Sequence, residues 1–433
     1  MKYSFVLLCL NIPLLFNAIW SFSPILAQYH LSDQSSRLRQ YSGTWNSSIH
    51  PNIDSVSVKP SIRMFNNVRG DSKSLFVEVE QLKDSLYQNL LVEMISYDKN
   101  SDTIIALGQR SDGSCFIGKG KYTSEIDWVM FDKDLLGNDV MNVSFKFNSY
   151  TDVLVQGFNN EQKRLWQTRY IKQNPKDKKI GVQLVSVHDE MLHDAENTLL
   201  QLSRMGYSYV ETFVYKEGMF YGMSPNHFKE KVESVGMEFV GSMTFKDLPT
   251  DGAWKSTMDW WLKCIQDHKE AGVKYISTSN NQLKQVSTQE ELQLFCDYYN
   301  AIGDMCKKNG IQFVFHNHSD EFRYVEGVCI YNYFLEHTNP ELVAFQPDLY
   351  WMHIGGANPV NYFHQYPGRF FSWHIKDHKE LGESDKIPFG EYVEYAEKSG
   401  VQYIIAEVED YSYPPLYSTS LAWEYIYHTL LNN

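Results

Sequence analysis

Residues 313–322 read Phe-Val-Phe-His-Asn-His-Ser-Asp-Glu-Phe, an apolar, β-prone run that stops at His316 and His318 and is followed by Asp320 and Glu321. Such a run is a buried strand whose end delivers ionisable or metal-ligating side chains to the rim of a sheet. In α/β enzymes that rim is where chemistry sits. Strand alternation sends His316 and His318 to one face and Asn317 to the other. An isolated His-x-His pair is equally well explained as two histidines satisfied by backbone carbonyls. What turns the reading toward a site is that three later strand ends also carry ligand-type residues.

Around this strand, the chain from residue 180 onward alternates strand and helix. Strands are expected at 180–187, 207–213, 237–245, 274–279, 311–316, 342–349, 369–376 and 401–407, with amphipathic helices between them. Eight β/α units within 180–433, close to the ~250 residues typical of the architecture, predict a closed (β/α)8 TIM barrel with its site at the C-terminal ends of the strands. Residues 41–173 follow a different pattern. Short alternating runs such as Ser-Leu-Phe-Val-Glu-Val-Glu (74–80) are separated by turn sequences at 99–102, 111–113 and 159–161. That pattern predicts an all-β domain, either an up-and-down barrel or a sandwich. Gly43-Thr44-Trp45 resembles the Gly-x-Trp that opens lipocalin-like barrels, with Trp45 plugging the core. No acid pair or ligand cluster stands out in this domain.

Residues 28–40 and the charged stretch 174–179 are expected as linkers, and 1–27 as a signal peptide: Lys2, an apolar run, then Ile25-Leu26-Ala27 before Gln28. The reading is a secreted or periplasmic protein without stable membrane insertion after cleavage, since Asn11 and Pro13 interrupt the apolar run. The formal charge of −14 argues against nucleic acid or an anionic membrane as the main partner. Apart from Cys9, the cysteines (Cys115, Cys264, Cys296, Cys306, Cys329) are widely spaced and form no CxxC pair, so they are expected to be buried thiols.

The ends of strands five to eight supply His316, Asp348, His374 and Glu407. Two imidazoles and two carboxylates at one barrel mouth form a mixed N/O donor set suited to Mn²⁺, Co²⁺, Zn²⁺ or Mg²⁺. Each has a plainer alternative: Asp348 as a helix cap, His374 as a satisfied core residue, Glu407 as a partner of Lys376. His318, Glu321 and Lys376 are candidates for acid, base and electrostatic roles, and Glu409 lies just beyond Glu407, where it can support the ligands or carry a proton.

Several of these segments together resemble the xylose isomerase-like TIM-barrel superfamily of sugar-phosphate isomerases and epimerases. They are His316-Asn317-His318 with Glu321-Phe322, Pro347-Asp348-Leu349-Tyr350-Trp351, Tyr366-Pro367-Gly368-Arg369 and Trp373-His374-Ile375-Lys376-Asp377, in the family's order and spacing. The resemblance implies a divalent metal, most often Mn²⁺, held by Glu407, Asp348, His374 and the strand-five residue, here His316 where many relatives have Glu. It also implies a pair of carboxylates that move a proton next to a carbonyl while the metal holds the sugar oxygens. The expected substrate is a small sugar, keto-sugar or glycoside, and the expected activity isomerisation, epimerisation or elimination from a 3-keto-glycoside. Strand three ends in Ser242-Met243-Thr244, where relatives commonly have histidine, and His188 stands where many have arginine. A catalytically silent carbohydrate-binding protein of the same fold is the alternative. Oligomeric state is not legible.

Overall fold

The computed structural model describes residues 35–48, 60–69, 74–250, 252–279 and 281–431; the expected signal peptide lies outside them. The first strands are β1 (Gly43–Ser47), β2 (Ile62–Arg69), β3 (Ser74–Lys83), β4 (Leu86–Asp98) and β5 (Thr103–Arg110). They continue through β6 (Cys115–Tyr122), β7 (Trp128–Asp134), β8 (Asp139–Ser149), β9 (Asp152–Phe158) and β10 (Arg164–Lys172). Each pairs antiparallel with the next, and β1 pairs with β10, so the sheet closes into a barrel and the sandwich alternative falls. Alternation sets the inside: Leu75, Val77 and Val79 of β3 point inward and are buried while their neighbours are not. One end of the interior is aromatic. Trp45 packs against Tyr41 and Phe147, Tyr41 in turn packs edge-on against Trp128 and Phe145, and the Trp45 Nε1–H donates to the Tyr41 carbonyl at 2.9 Å. Trp45 is fully buried, as a core plug requires.

The second half contains β11 (Gly181–Gln183), β12 (Tyr209–Thr212), β13 (Glu238–Met243) and β14 (Tyr275–Thr278), then β15 (Gln312–His316), β16 (Val343–Gln346), β17 (Ser372–Ile375) and β18 (Tyr403–Ala406). All pairings are parallel, in the order β16-β15-β14-β13-β12-β11-β18-β17. Parallel bridges Phe345–Phe370 and Asp348–His374 close β16 onto β17. The result is a (β/α)8 barrel. The helices between strands are set by local signals. Thr288 and Glu291 form a capping box at the start of helix Gln289–Lys308. Gly272, at φ +77°, ends helix Trp254–Ala271 in the left-handed conformation that suits glycine.

Both stretches expected as linkers carry structure. Residues 35–41 form a helical turn and a 3₁₀ turn, with Arg37, Leu38 and Gln40 buried. Asn174 is buried and ties the barrels together, accepting from Thr44 N–H at 3.1 Å and donating to the Met205 carbonyl at 3.0 Å. Lys176 Nζ reaches Ser203 Oγ at 2.8 Å, and Lys178 Nζ reaches the Tyr427 carbonyl at 2.9 Å. Gly43, at φ +95°, leaves room for the Asn174 side chain, because an added Cβ would lie 2.3 Å from Asn174 Oδ1. The joint also encloses charge. Glu424, from helix Pro415–Tyr425, accepts from Ser42 Oγ and lies 3.9 Å from Arg39. Lys172, only 1% exposed, donates to the Gln40 carbonyl at 3.0 Å and sits 5.0 Å over the Trp45 ring.

Candidate active site

Backbone pairing brings the ligand-type side chains together. His316 is in register with Gln346, so Asp348 emerges two residues beyond the neighbouring strand end. The Asp348 N–H donates to Asn317 Oδ1 at 3.2 Å, and His374 N–H donates to the Pro347 carbonyl at 3.0 Å, setting Asp348 and His374 side by side. Glu407 N–H donates to the Ile375 carbonyl at 3.0 Å, which puts Glu407 at the same level on the next strand.

His316, Asp348 and His374 are buried, and their ligand atoms lie within 4.8 Å of one another. Asp348 does cap a helix, since its Oδ1 accepts from Trp351 N–H at 3.0 Å at the start of Leu349–Ile354. Its other oxygen is left over. Among the described residues, Asp348 Oδ2 and both ring nitrogens of His374 are buried without a hydrogen-bond partner of acceptable geometry. His316 Nδ1 faces Gln346 Oε1 at 3.2 Å, leaving its Nε2 for another partner. Buried ligand atoms converging from three side chains, with an Asp348 oxygen and the His374 nitrogens lacking a well-aligned hydrogen bond, are what a cation site offers, so the residues fit a divalent metal. Glu407 lies outside this trio but contacts His374 Nδ1 directly.

Electrostatics describe the same need. Burial, then the Glu407 charge, push Asp348 up to about 7 against Lys376 and His374. Burial alone would lower His374, but Glu211 and Glu407 on either side hold it up at about 10. Burial would raise Glu407, yet Lys376 and His374 outweigh it and hold the carboxylate well below the usual range. Burial, then His374 and His318, drive His316 well below the ordinary histidine value, so it is a neutral donor.

The remaining expected residues divide. Lys376 is buried, with Nζ 3.3 Å from Glu407 Oε1, in contact with Glu409, and 5.3 Å from the Trp351 ring. Glu409 reaches it from the exposed rim. The His318 ring lies at the mouth, 5.1 Å from the His316 ring and 5.9 Å from Trp351. Burial pushes it down to about 4, well under the value of a free imidazole. Glu321 is not aimed into the cluster by any polar contact: its carboxylate accepts from the His318 backbone N–H at 2.8 Å, and burial raises it to about 7.

Sequence reading missed Glu211. It is the penultimate residue of β12, is fully buried, and its Oε1 lies 3.3 Å from His374 Nε2. The signal was present, because Tyr-Val-Glu brings a carboxylate to within one residue of the second strand's end, as His316, Asp348, His374 and Glu407 stand at or next to the ends of strands five to eight.

Comparison with known proteins agrees with the architecture. The family described as xylose isomerase-like TIM barrel matches residues 199–425, over half of the chain. Two solved structures of sugar phosphate isomerase/epimerases from Parabacteroides distasonis are similar to the second barrel. One is 26% identical with a TM-score of 0.55, covering 58% of this chain and 94% of its own. The other is 27% identical with a TM-score of 0.54, covering 58% of this chain and 98% of its own. No curated protein matches. The strand order, the position of the polar cluster at the strand ends and the family match agree, and the chain belongs to the xylose isomerase-like TIM-barrel family.

Proposed function

We propose that the protein is a divalent-metal-dependent sugar isomerase or epimerase, or a keto-glycoside lyase, working by proton transfer next to a carbonyl. The observation that carries this reading is the convergence of His316, Asp348 and His374, with an orphaned Asp348 oxygen, at the C-terminal mouth of the barrel. Those three residues and Glu407 would hold the ion, for which Mn²⁺ is the first choice and Zn²⁺, Co²⁺ and Mg²⁺ the others. When bound, the ion supplies Lewis acidity to substrate oxygens.

The chain's own residues supply the rest. Lys376, between Glu407 and Glu409, places a positive charge beside the cluster, where negative charge develops on an enolised sugar. His318, neutral and at the mouth, is the group in reach of a substrate proton, and Glu321 fixes it by holding its backbone N–H. Trp351 beside it offers an apolar face to a sugar ring. Returning the proton to a neighbouring carbon gives isomerisation; returning it to the opposite face of the same carbon gives epimerisation. Loss of a β-substituent gives cleavage. The first 27 residues, read as a signal peptide, direct the proposal to an extracytoplasmic sugar.

The test is a screen of free sugars, sugar phosphates and 3-keto-glycosides with the full chain and added Mn²⁺, read for both rearranged and cleaved products. Turnover of any class that chelator abolishes supports the proposal. Sugar binding without turnover at full metal loading would favour a silent binding protein instead.

A further inference from the structure

Glu211 is fully buried, so both of its carboxylate oxygens must find hydrogen-bond partners inside the barrel. Its neutral contacts come from three different strands. Gln183 Nε2 of β11 donates to Oε1 at 2.9 Å, Ser277 Oγ of β14 to Oε1 at 3.2 Å, Gln346 Nε2 of β16 to Oε2 at 2.8 Å, and Tyr275 Oη also to Oε2. The fifth contact is His374, whose Nε2 faces Oε1 while Nδ1 faces Glu407 and the ligand cluster.

Gln346 extends this arrangement to the second histidine. Its amide nitrogen donates to Glu211 and to Ser372 Oγ, each at 2.8 Å, so its oxygen must turn the other way. That oxygen lies 3.2 Å from His316 Nδ1. An amide oxygen accepts only, so His316 carries its proton on Nδ1 and presents a bare Nε2.

We propose that Glu211 is the positioning residue of the metal site, fixing the tautomer and ring orientation of His374 directly and of His316 through Gln346. This rests on the metal reading above. One buried carboxylate then leaves both imidazoles with their free nitrogens turned toward the ligand cluster. Carboxylates placed behind metal-ligating histidines typically alter affinity about 10–100-fold.

The experiment is calorimetric titration of the full chain with Mn²⁺ alone, wild type against Glu211→Gln and Gln346→Met. Both variants are expected to weaken Mn²⁺ binding, Glu211→Gln by about 10–100-fold and Gln346→Met by less, because only the His316 arm is lost. An affinity within twofold of wild type for Glu211→Gln overturns the inference while leaving the metal reading intact. If wild type binds no divalent ion, both fall. Should Glu211→Gln fail to fold, nitrogen-15 spectra of histidine-labelled, Zn²⁺-loaded wild-type protein decide: a ring proton on His374 Nε2 and on His316 Nδ1 is expected, and the opposite tautomer at either overturns it.

Discussion

Replacing Glu424 by Gln tests how the two barrels are joined. The side chain keeps its shape and can still accept from Ser42, but the negative charge beside Lys172 and Arg39 is lost. Burial, opposed by Glu424, already pushes Lys172 down to about 8; relative to an ordinary lysine near 10.5 that is about 3 kcal/mol of charge held at a disadvantage in the folded state. Removing one partner of a buried pair costs about 3–5 kcal/mol. Here the ammonium keeps the Gln40 carbonyl and the Trp45 ring, so about 2–3 kcal/mol is expected at pH 7. The sign with pH is fixed. A lysine depressed on folding costs stability while protonated and stops costing as pH rises through its folded value, so the penalty should shrink from pH 7 to pH 9. The assay is urea unfolding of wild type, Glu424→Gln, Lys172→Met and the double variant, followed by tryptophan fluorescence. The double variant should recover to within about 1 kcal/mol of wild type. A loss under about 0.5 kcal/mol for Glu424→Gln, or an equal loss at both pH values, would refute the reasoning.

At Gly241 an added Cβ would lie 2.2 Å from the Tyr275 ring, so Gly241→Ala should cost about 1–3 kcal/mol by thermal melting and disturb the Glu211 contacts. Inside the first barrel, burial and then Asp132 push Glu93 up to about 8 against Arg110. A carboxyl raised on folding gives stability that is present at low pH and lost as pH rises through 8, so the melting temperature should fall between pH 5 and 8, and Glu93→Gln should flatten that slope. His318→Gln should keep bound metal and lose most turnover; loss of the metal itself would make His318 a ligand. Deleting residues 28–172 should yield an unstable product, because Tyr417, stacked on Tyr150, and Glu424 would lose their cover; a well-behaved isolated barrel would contradict this.

Much of the architecture was readable because each half has its own period. The parallel strands stand out as apolar runs buried on both faces, and the antiparallel ones as alternations. β1 and β2 were harder. Gly43–Ser47 and Ile62–Arg69 carry Asn46, Asn66 and Asn67, which weaken the alternation, and only the Gly-x-Trp hinted at the first. The packing of the joint is hard to read from sequence for a related reason. Asn174, Lys176 and Lys178 look like solvated linker residues, but their polar atoms are spent on backbone and side-chain partners that are distant in sequence. At the site, strand-end position is enough to bring His316, Asp348 and His374 together with Glu407 beside them, whereas Glu211 stands alone on the second strand, one residue before its end. The depressed value of His318 depends on burial by neighbours that no local motif encodes. Cys115, expected among buried thiols, is partly exposed, whereas Cys264, Cys296, Cys306 and Cys329 are buried.

The central claim is metal-dependent proton transfer on a sugar. It is tested most directly by incubating the Mn²⁺-loaded full chain with keto-sugars and 3-keto-glycosides in heavy water and following deuterium at the carbon next to the carbonyl. Exchange that disappears with chelator and with Asp348→Asn is the predicted result. Absence of exchange in every substrate at full metal loading, or exchange that persists in the Asp348→Asn protein, would contradict it.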